Sequence, residues 1–590
     1  MSPATAQLPT YLKKYIFEQR YENYTPRDHA AWRYIMRQNR AFFGRHAVPV
    51  YLEGLKKTGI PVDRIPRITE MDDCLAELGW GAVPVRGFIP PAAFLDFQAR
   101  AVLPIACDMR SVQHIAYTPA PDIVHEAAGH APIIADPAYS AYLHRYAKMA
   151  QKAILSLEDL RLYEAIRYLS DIKENPDTKP DEIERADARL KATAAAMTHV
   201  SEAAMVARMA WWTVEYGLVG DLAAPKIYGA GLLSSVGESQ ACLSYKVRKV
   251  PLSVDCVHQP YDITEPQPQL FVARSMEHLV EILLQFERTL AFQVGGVEGL
   301  KRARRAETVN TIVLPNGLQI SGKLIEHAAD EDVPTFVKFA GPVQLAYGDR
   351  QIDGHGRERH GDGFSSPLGR FLKASVRAPH TFTDEELATF GVAPGKRAIL
   401  DLETGVRVEG TVVGTTRRDG KLLLITWKDC TVRRGDEVLF RPEWGEFDQA
   451  IGEAVPSVFG GPADMDRYGD IDIGQATTSP ARATPYTAHE LKTFDAYRAL
   501  RNLRQQGDFA ASRWTELVER VVREHADEWL LHLELVEVAC HAERSGVSVP
   551  WKGTVTAALD AARNRWSDLD RELLDKGIAL ASQADPLAAP

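Results

Sequence analysis

Between about residues 25 and 300, apolar residues recur at spacings of three and four, which predicts a mostly helical region. Tyr24-Thr25-Pro26-Arg27-Asp28 reads as a helix start, with Thr25 as N-cap and Pro26 in the first helical position. It leads into HAAWRYIMRQNRAFFGRHA. Residues 137–215 read as one long helical region, interrupted by the polar break Glu174-Asn175-Pro176-Asp177-Thr178-Lys179-Pro180. After about residue 306 the pattern turns to alternation. Thr311-Ile312-Val313-Leu314 and Leu318-Gln319-Ile320 flank Pro315-Asn316-Gly317, a hairpin signal, and alternating strands recur at 398–413 and 421–427.

The segments between these elements are polar. Lys301 to Arg305 (KRARR) reads as a solvated helix end. Asp349 to Ser366 (DRQIDGHGRERHGDGFSS) reads as a flexible surface loop, which makes His355 and His360 solvated side chains rather than ligands. Asp464 to Gly474 lacks the spacing of a calcium loop and reads as an acidic turn region. Ala476 to Tyr486 (ATTSPARATPY) has linker composition. Beyond it, helical periodicity returns over 487–584, with Trp514, Trp529, Trp551 and Trp566 placed to fill a core. The expected organisation is multidomain: a mainly α-helical domain over 1–305 with a helical insertion at about 145–200, a β-rich domain over 306–475, a linker at 476–486 and a helical domain over 487–590.

Composition narrows the function classes. At 590 residues the chain can bury several cores, and 45% apolar with 25% charged residues is the balance of a globular protein. A net charge of −10 argues against a general nucleic-acid binder. The first twenty residues lack the apolar core of a signal peptide, and no run approaches the roughly 18 apolar residues of a membrane span. The six cysteines are scattered without a CxxC pair, so a reduced cytoplasmic setting is expected.

The candidate chemistry lies in PDIVHEAAGHAPIIADP, residues 121–137, and in WWTVEYGL, residues 211–218. His125, His130 and Glu215 are the minimum set for a facial triad of two imidazoles and one carboxylate, the arrangement that holds Fe(II) with one side open. In a zinc protease the histidines are four apart, on one helical face. Here they are five apart, roughly 140° out of line at about 100° per residue. An ideal α-helix cannot aim both at one ion. Gly129 and Pro132 flank the second histidine, so the helix is expected to end or deform there and to present His130 from its end.

With these residues in view, the first half, roughly 20–305, resembles the pterin-dependent aromatic amino acid hydroxylases. The resemblance rests on PVRGF at 84–88, YTPAPDIVHEAAGH at 117–130, WWTVEYGL at 211–218, YGAGLLSSVGE at 228–238 and YDITEPQPQLFVARS at 261–275. It implies a catalytic domain of that family's type and a monooxygenase that uses Fe(II), a tetrahydropterin and O2 to hydroxylate an aromatic amino acid, L-phenylalanine first. His125, His130 and Glu215 would be the iron ligands, with Ser234 fixing a ligand histidine. Arg110 would grip the substrate carboxylate, oriented by Asp122, while Thr118 and Ser235 help hold the amino acid backbone. Pro121, Trp211 and Tyr216 would wall the ring pocket. Phe94 would stack on the pterin, with Val85, Gly87 and Phe88 as the adjoining loop. Glu126 would sit near the pterin and assist oxygen activation.

The chain departs from the family pattern in places. Ala210 stands where a tyrosine is usual, Ala120 replaces an acidic residue, and Leu103, Pro104 and Ile105 lack the aromatic-His pattern expected of a phenylalanine hydroxylase pocket. Glu215 follows His130 by 85 positions (215 − 130), roughly double the family gap, and the excess reads as an αα extension packed outside the core. These departures keep open a related oxygenase on another aromatic substrate. No family is recognised in 306–590, so a non-catalytic assembly protein with a hydroxylase-like half is the alternative of another class. The expected partner is a small aromatic amino acid, with no nucleic acid and no membrane, and self-assembly would run through the C-terminal region.

Overall fold

The computed structural model describes residues 2–87, 89–116, 122–174, 178–262, 266–374, 376–469, 471, 485–507 and 512–583. Helix Pro26–His46 begins with a full capping box: the Thr25 hydroxyl accepts from the Asp28 N–H, and the Asp28 carboxylate accepts from the Thr25 N–H. The helix buries Trp32, Ile35, Met36 and Phe43 and becomes the spine of the first half. A short crossover follows. Strand Gly81–Val85 pairs in parallel with Val102–Ala106, and helix Pro91–Ala99 makes the connection. Leu103 and Ile105 are fully buried in that second strand, so they are core residues and not pocket wall.

The expected long helical region of 137–215 is broken into pieces. Helix Pro137–Ala150 buries Tyr139, Tyr142 and Tyr146 in the main core. Helices Leu157–Glu174 and Pro180–Ala195 pack on one another as an added pair, and their apolar residues lie outside that core. Helix Glu202–Ala210 then runs into the segment that carries Glu215. Four short strands close this half, in the order Lys226–Ile227, Leu218–Val219, Gln269–Ala273, Arg248–Pro251.

The change of period near residue 306 marks the start of β structure. Val309–Val313 and Leu318–Asp330 form the anticipated hairpin, Gly317 supplies the positive φ (91°) of the turn, and Val313 pairs with Gln319. Asn316 in that turn is fully buried and donates to the Leu422 and Ile451 carbonyls, which ties the hairpin to the second sheet. The first sheet has the order Arg350–Gln351, Val333–Tyr347, Leu318–Asp330, Val309–Val313, Ser457–Gly460, with Gly363–Pro367 also on Val333–Tyr347. The second has the order Arg397–Asp401, Val406–Arg418, Lys421–Arg434, Glu437–Phe440, with Phe447–Ala450 also on Lys421–Arg434. Helix Gly296–Ala306 packs Leu300, Ala303 and Ala306 into the core of the first sheet, so it belongs with the strands that follow it.

The loop between Gln351 and Gly363 is not a flexible surface segment. His355 and His360 are buried, 8% and 7% exposed, beside Asp448 of the second sheet. Burial pushes both imidazoles below their usual range, His360 to about 4. The polar composition of the loop misled because its histidines and two of its arginines turn inwards, Arg359 onto Asp448 and Arg357 onto the Tyr468 carbonyl. KRARR is also only partly solvated, since Arg302 pairs with the buried Glu202.

The five helices of 488–582 share one core with the first half. Helices Ala488–Gln506, Trp529–Arg544 and Asp568–Ser582 all pack on Pro26–His46. Trp514 and Trp551 stack in parallel at 5.5 Å, and Trp529 meets Tyr34 edge-on. Most of the expected linker, 476–484, lies outside the described residues, as do Phe88, Thr118, Ala120 and Pro121. Among the described residues all six cysteines are free, and no helix is long and apolar enough to cross a membrane.

Candidate metal centre

The five-residue spacing of the histidines is resolved by a π-helix. Val124–His130 follows the wider i→i+5 turn, which stacks residues five apart on one face. The helix therefore does not end at His130; it widens over the ligands and tightens into a 3-10 turn over Ala131–Ala135. Gly129 has a different task from the expected break. A Cβ there would stand 2.6 Å from the Ala230 carbonyl oxygen, so its absence lets helix Ala230–Leu233 close on the histidine segment. Trp211–Glu215 is a second π-helical turn and brings Glu215 to the same point.

The three side chains converge. His125 Nε2 and His130 Nε2 lie 3.2 Å apart, and the Glu215 carboxylate is 3.4 Å from the first and 3.3 Å from the second. Ligands at about 2.0–2.1 Å from one ion stand about 3–3.5 Å from each other, so this donor set fits a single dication. Its chemistry is that of an iron(II) triad. Ser234 Oγ donates to the Gly231 carbonyl at 3.1 Å, so it can only accept from His125 Nδ1–H at 3.0 Å. That fixes the tautomer and leaves the Nε2 lone pair free for a metal. The side chains of His125 and Glu215 keep 18% and 22% exposure against 2% for His130, so the centre opens on the His125–Glu215 side.

Burial raises the carboxyl of Glu215, but His130 and His125 outweigh it and hold the group down at about 2. Burial likewise lowers His125 to about 4, against the pull of Glu215. Glu126 is the opposite case. It is 4% exposed, its Oε2 has no hydrogen-bond partner, and burial pushes it up to about 8, so it holds a proton at neutral pH.

Arg110 and Asp122 form a buried fork. Arg110 Nε and Nη2 donate to the two Asp122 oxygens at 2.7 and 2.8 Å, and Nη1 donates to the Ser234 carbonyl at 3.1 Å. Burial alone would raise Asp122; Arg110 beside it holds it below the usual carboxylate range. Asp122 also accepts from the His125 N–H at 3.0 Å, so one carboxylate orients both the arginine and a metal ligand. Ser235 caps helix Val236–Cys242 and donates to the Ala116 carbonyl.

The triad, Glu126, Arg110, Ser234 and Ser235 line a cavity of ≈ 2050 Å³. Val85, Gly87, Phe94 and Glu126 line it on one side of the triad, and the Phe94 ring lies 6.3 Å from that of His130. Trp211 and Tyr216 line it on another, stacked at 4.5 Å. Tyr261 also stacks on Trp211, at 4.3 Å, and the half-buried Glu238 accepts from the Tyr216 hydroxyl at 2.8 Å. The sequence reading assigned neither Tyr261 nor Glu238, although both stand inside blocks it singled out. The added helix pair contributes Tyr163 and Ile166 to the wall, and the β region contributes Arg357 and Phe459. The extension expected outside the core thus walls the cavity.

Residues 14–152 and 190–295 match the family described as biopterin-dependent aromatic amino acid hydroxylase. The unmatched 153–189 covers Leu157–Glu174 and the first part of Pro180–Ala195, the added helix pair. A phenylalanine-4-hydroxylase of Pseudomonas aeruginosa is 27% identical over 263 residues, 44% of this chain and 83% of that protein. The phenylalanine-4-hydroxylase of Bos taurus is 29% identical over 276 residues, 45% of this chain and 51% of that protein. A crystal structure of Chromobacterium violaceum phenylalanine hydroxylase with bound iron(III) and oxidised 7,8-dihydrobiopterin is 25% identical; it covers 48% of this chain and 94% of that chain, with a TM-score of 0.36. Over residues 14–152 and 190–295, less than half of its length, the chain matches the pterin-dependent aromatic amino acid hydroxylase family.

Proposed function

We propose that this chain is an iron(II)- and tetrahydropterin-dependent monooxygenase that hydroxylates the ring of an aromatic amino acid, with L-phenylalanine to L-tyrosine as its first reaction. The observation that carries this reading is the convergence of His125 Nε2, His130 Nε2 and Glu215 within 3.2–3.4 Å of one another, open to the cavity. His125, His130 and Glu215 hold the iron, and Val85, Gly87, Phe88 and Phe94 form the pterin side. Bound iron(II) and tetrahydropterin supply the reduction of O2 that places one oxygen atom on the ring.

The protein's own share is binding, orientation and proton control. Arg110 has five N–H groups, and three are spent on Asp122 and Ser234. One N–H remains on each terminal nitrogen to meet a substrate carboxylate. Ser235, with Thr118, holds the rest of the amino acid backbone, and Pro121, Trp211 and Tyr216 wall the ring. Glu126 offers a proton at Oε2 beside the triad, 3.9 Å from His130 Nε2.

A second reading has the same chemistry on a bulkier aromatic. Ala210 lines the cavity where the family has a tyrosine, and ≈ 2050 Å³ exceeds the roughly 300–1,000 Å³ of a small-molecule site. One experiment separates the readings. The full-length protein, loaded with iron anaerobically, meets O2, a tetrahydropterin and phenylalanine, tyrosine or tryptophan in turn, with products read by mass spectrometry. A product one oxygen atom heavier, coupled to pterin oxidation, supports the reading and names the substrate. Pterin oxidation without product favours the bulkier aromatic. No oxidation by the iron-loaded protein sinks both.

A further inference from the structure

The β region holds a second constellation of metal-ligating groups that the hydroxylation chemistry does not use. His355 and His360 stand on the loop between strands Arg350–Gln351 and Gly363–Pro367, and Asp448 stands on strand Phe447–Ala450 of the other sheet. All three are buried, at 8%, 7% and 5% exposure. His355 Nδ1 and His360 Nε2 lie 3.2 Å apart, and Asp448 Oδ2 is 3.8 and 3.9 Å from them.

The backbone builds this cluster in advance. The His355 carbonyl accepts from Leu345 N–H at 2.9 Å and the His360 carbonyl from Val343 N–H at 3.0 Å, so alternate residues of one strand hold both histidines side by side. The Phe364 ring packs edge-on against His360 at 5.4 Å. Asp448 faces Thr426 across the strand pair and accepts from its hydroxyl at 2.7 Å. Arg359 forks onto the same carboxylate at 2.7 and 3.1 Å, and Glu446 balances the arginine at 3.0 Å. Every outer edge of Asp448 is therefore held, which is how an ion-binding carboxylate is oriented.

A hydrogen-bond network accounts for part of this cluster. One imidazole can donate to the other at 3.2 Å, but the two distances to Asp448 Oδ2 are too long for hydrogen bonds. They are about 0.4 Å beyond the ligand-to-ligand edge of a tetrahedral zinc site, so a small side-chain rotation closes the set on one ion. The same donor count, with histidines again five apart, makes up the triad at His125, His130 and Glu215.

We propose that His355, His360 and Asp448 bind a zinc-type dication that staples the 352–362 loop of the first sheet to the second sheet. Two neutral imidazoles and one carboxylate suit Zn(II), with water in the fourth position. The loop so fixed carries Arg357, which donates to the Tyr468 carbonyl at 2.6 Å and lines the cavity of the first centre. Occupancy of this site would thus hold part of the cavity wall in place.

The test counts zinc in the full-length chain with the first centre disabled. The His125→Ala/His130→Ala variant is stripped with a chelator, equilibrated with Zn(II), desalted and measured for metal content. One zinc per chain is expected, lost on adding His360→Ala or Asp448→Asn. Zinc should also raise the Tm of the parent variant and not that of its His360→Gln derivative, a conservative change that retains bulk. No zinc above the buffer blank in His125→Ala/His130→Ala would overturn the proposal and leave the cluster as a hydrogen-bond network. Zinc retained after both His360→Gln and Asp448→Asn would overturn it as well, by placing the ion elsewhere.

Discussion

Arg33 donates to the carboxylate of Glu537 across 504 residues of sequence, and both side chains are buried. Arg37 reaches the same carboxylate at 3.2 Å, and Glu534 stands 3.4 Å from Arg33 and 3.2 Å from Arg504. This network fastens the last helices to Pro26–His46, the spine of the half that carries the triad. Glu537→Ala is expected to cost about 3–5 kcal/mol, because it leaves Arg33 buried with part of its counter-charge gone. Urea unfolding of the two proteins checks it. Burial raises the Glu537 carboxyl, but Arg33 and Arg37 outweigh it and depress the group. Its stabilisation is therefore full above the unfolded-state value of about 4.3 and fades as pH falls through the lower folded value. The gap between wild type and Glu537→Gln should narrow as pH falls below about 4; a gap that stays unchanged well below that pH would disprove the linkage.

Iron content reports on the triad directly. His125→Ala and Glu215→Ala should each lose stoichiometric iron, while Ser234→Ala should weaken binding by about 10- to 100-fold by freeing the His125 ring. Equilibrium dialysis with Fe(II) under anaerobic conditions distinguishes the two effects. Full iron retention by Glu215→Ala would remove the carboxylate from the ligand set.

Arg110→Lys keeps the charge and loses the fork. KM for the amino acid should rise by about 10- to 100-fold, the worth of one or two charge-assisted hydrogen bonds, with little change in KM for the pterin. A rise in both constants together would mean that the arginine maintains the site as a whole.

Gly129→Ala places a methyl group 2.6 Å from the Ala230 carbonyl oxygen, which is backbone and cannot swing aside. The expected result is a loss of about 1–3 kcal/mol together with weaker iron binding, since the shift carries the histidine segment away from Ser234, the partner of His125. Unfolding and dialysis on the same preparation test the pair of effects. Destabilisation with iron affinity intact would show that the helix contact does not position the ligands.

Ala210→Tyr should narrow the cavity beside Trp211. If the space at Ala210 admits a bulkier ring, kcat/KM for the larger aromatic should fall more than that for phenylalanine. An equal fall for both would place selectivity elsewhere on the wall.

What the sequence alone determined is local or sits in contiguous motif blocks. Thr25, Pro26 and Asp28 make a capping box within four residues, and Asn316-Gly317 sets a turn, because each depends on its own backbone and nearest neighbours. His125, His130 and Glu215 were legible as a set because recognisable blocks carry them, though their spacing in an α-helix argued against a shared face. Tertiary structure decided the rest. The π-turn over Val124–His130 that aligns the histidines packs at Gly129 against Ala230, which comes from a different block of the chain. His355 and His360 looked solvated because Asp448, 88 positions beyond His360 (448 − 360), is joined to them only by two sheets meeting. Nothing local to Arg33 or Glu537 pairs them across 504 residues; the fold buries them together. Periodicity and capping are written in neighbouring residues, whereas burial and long-range convergence are properties of surfaces that exist only after the chain has folded.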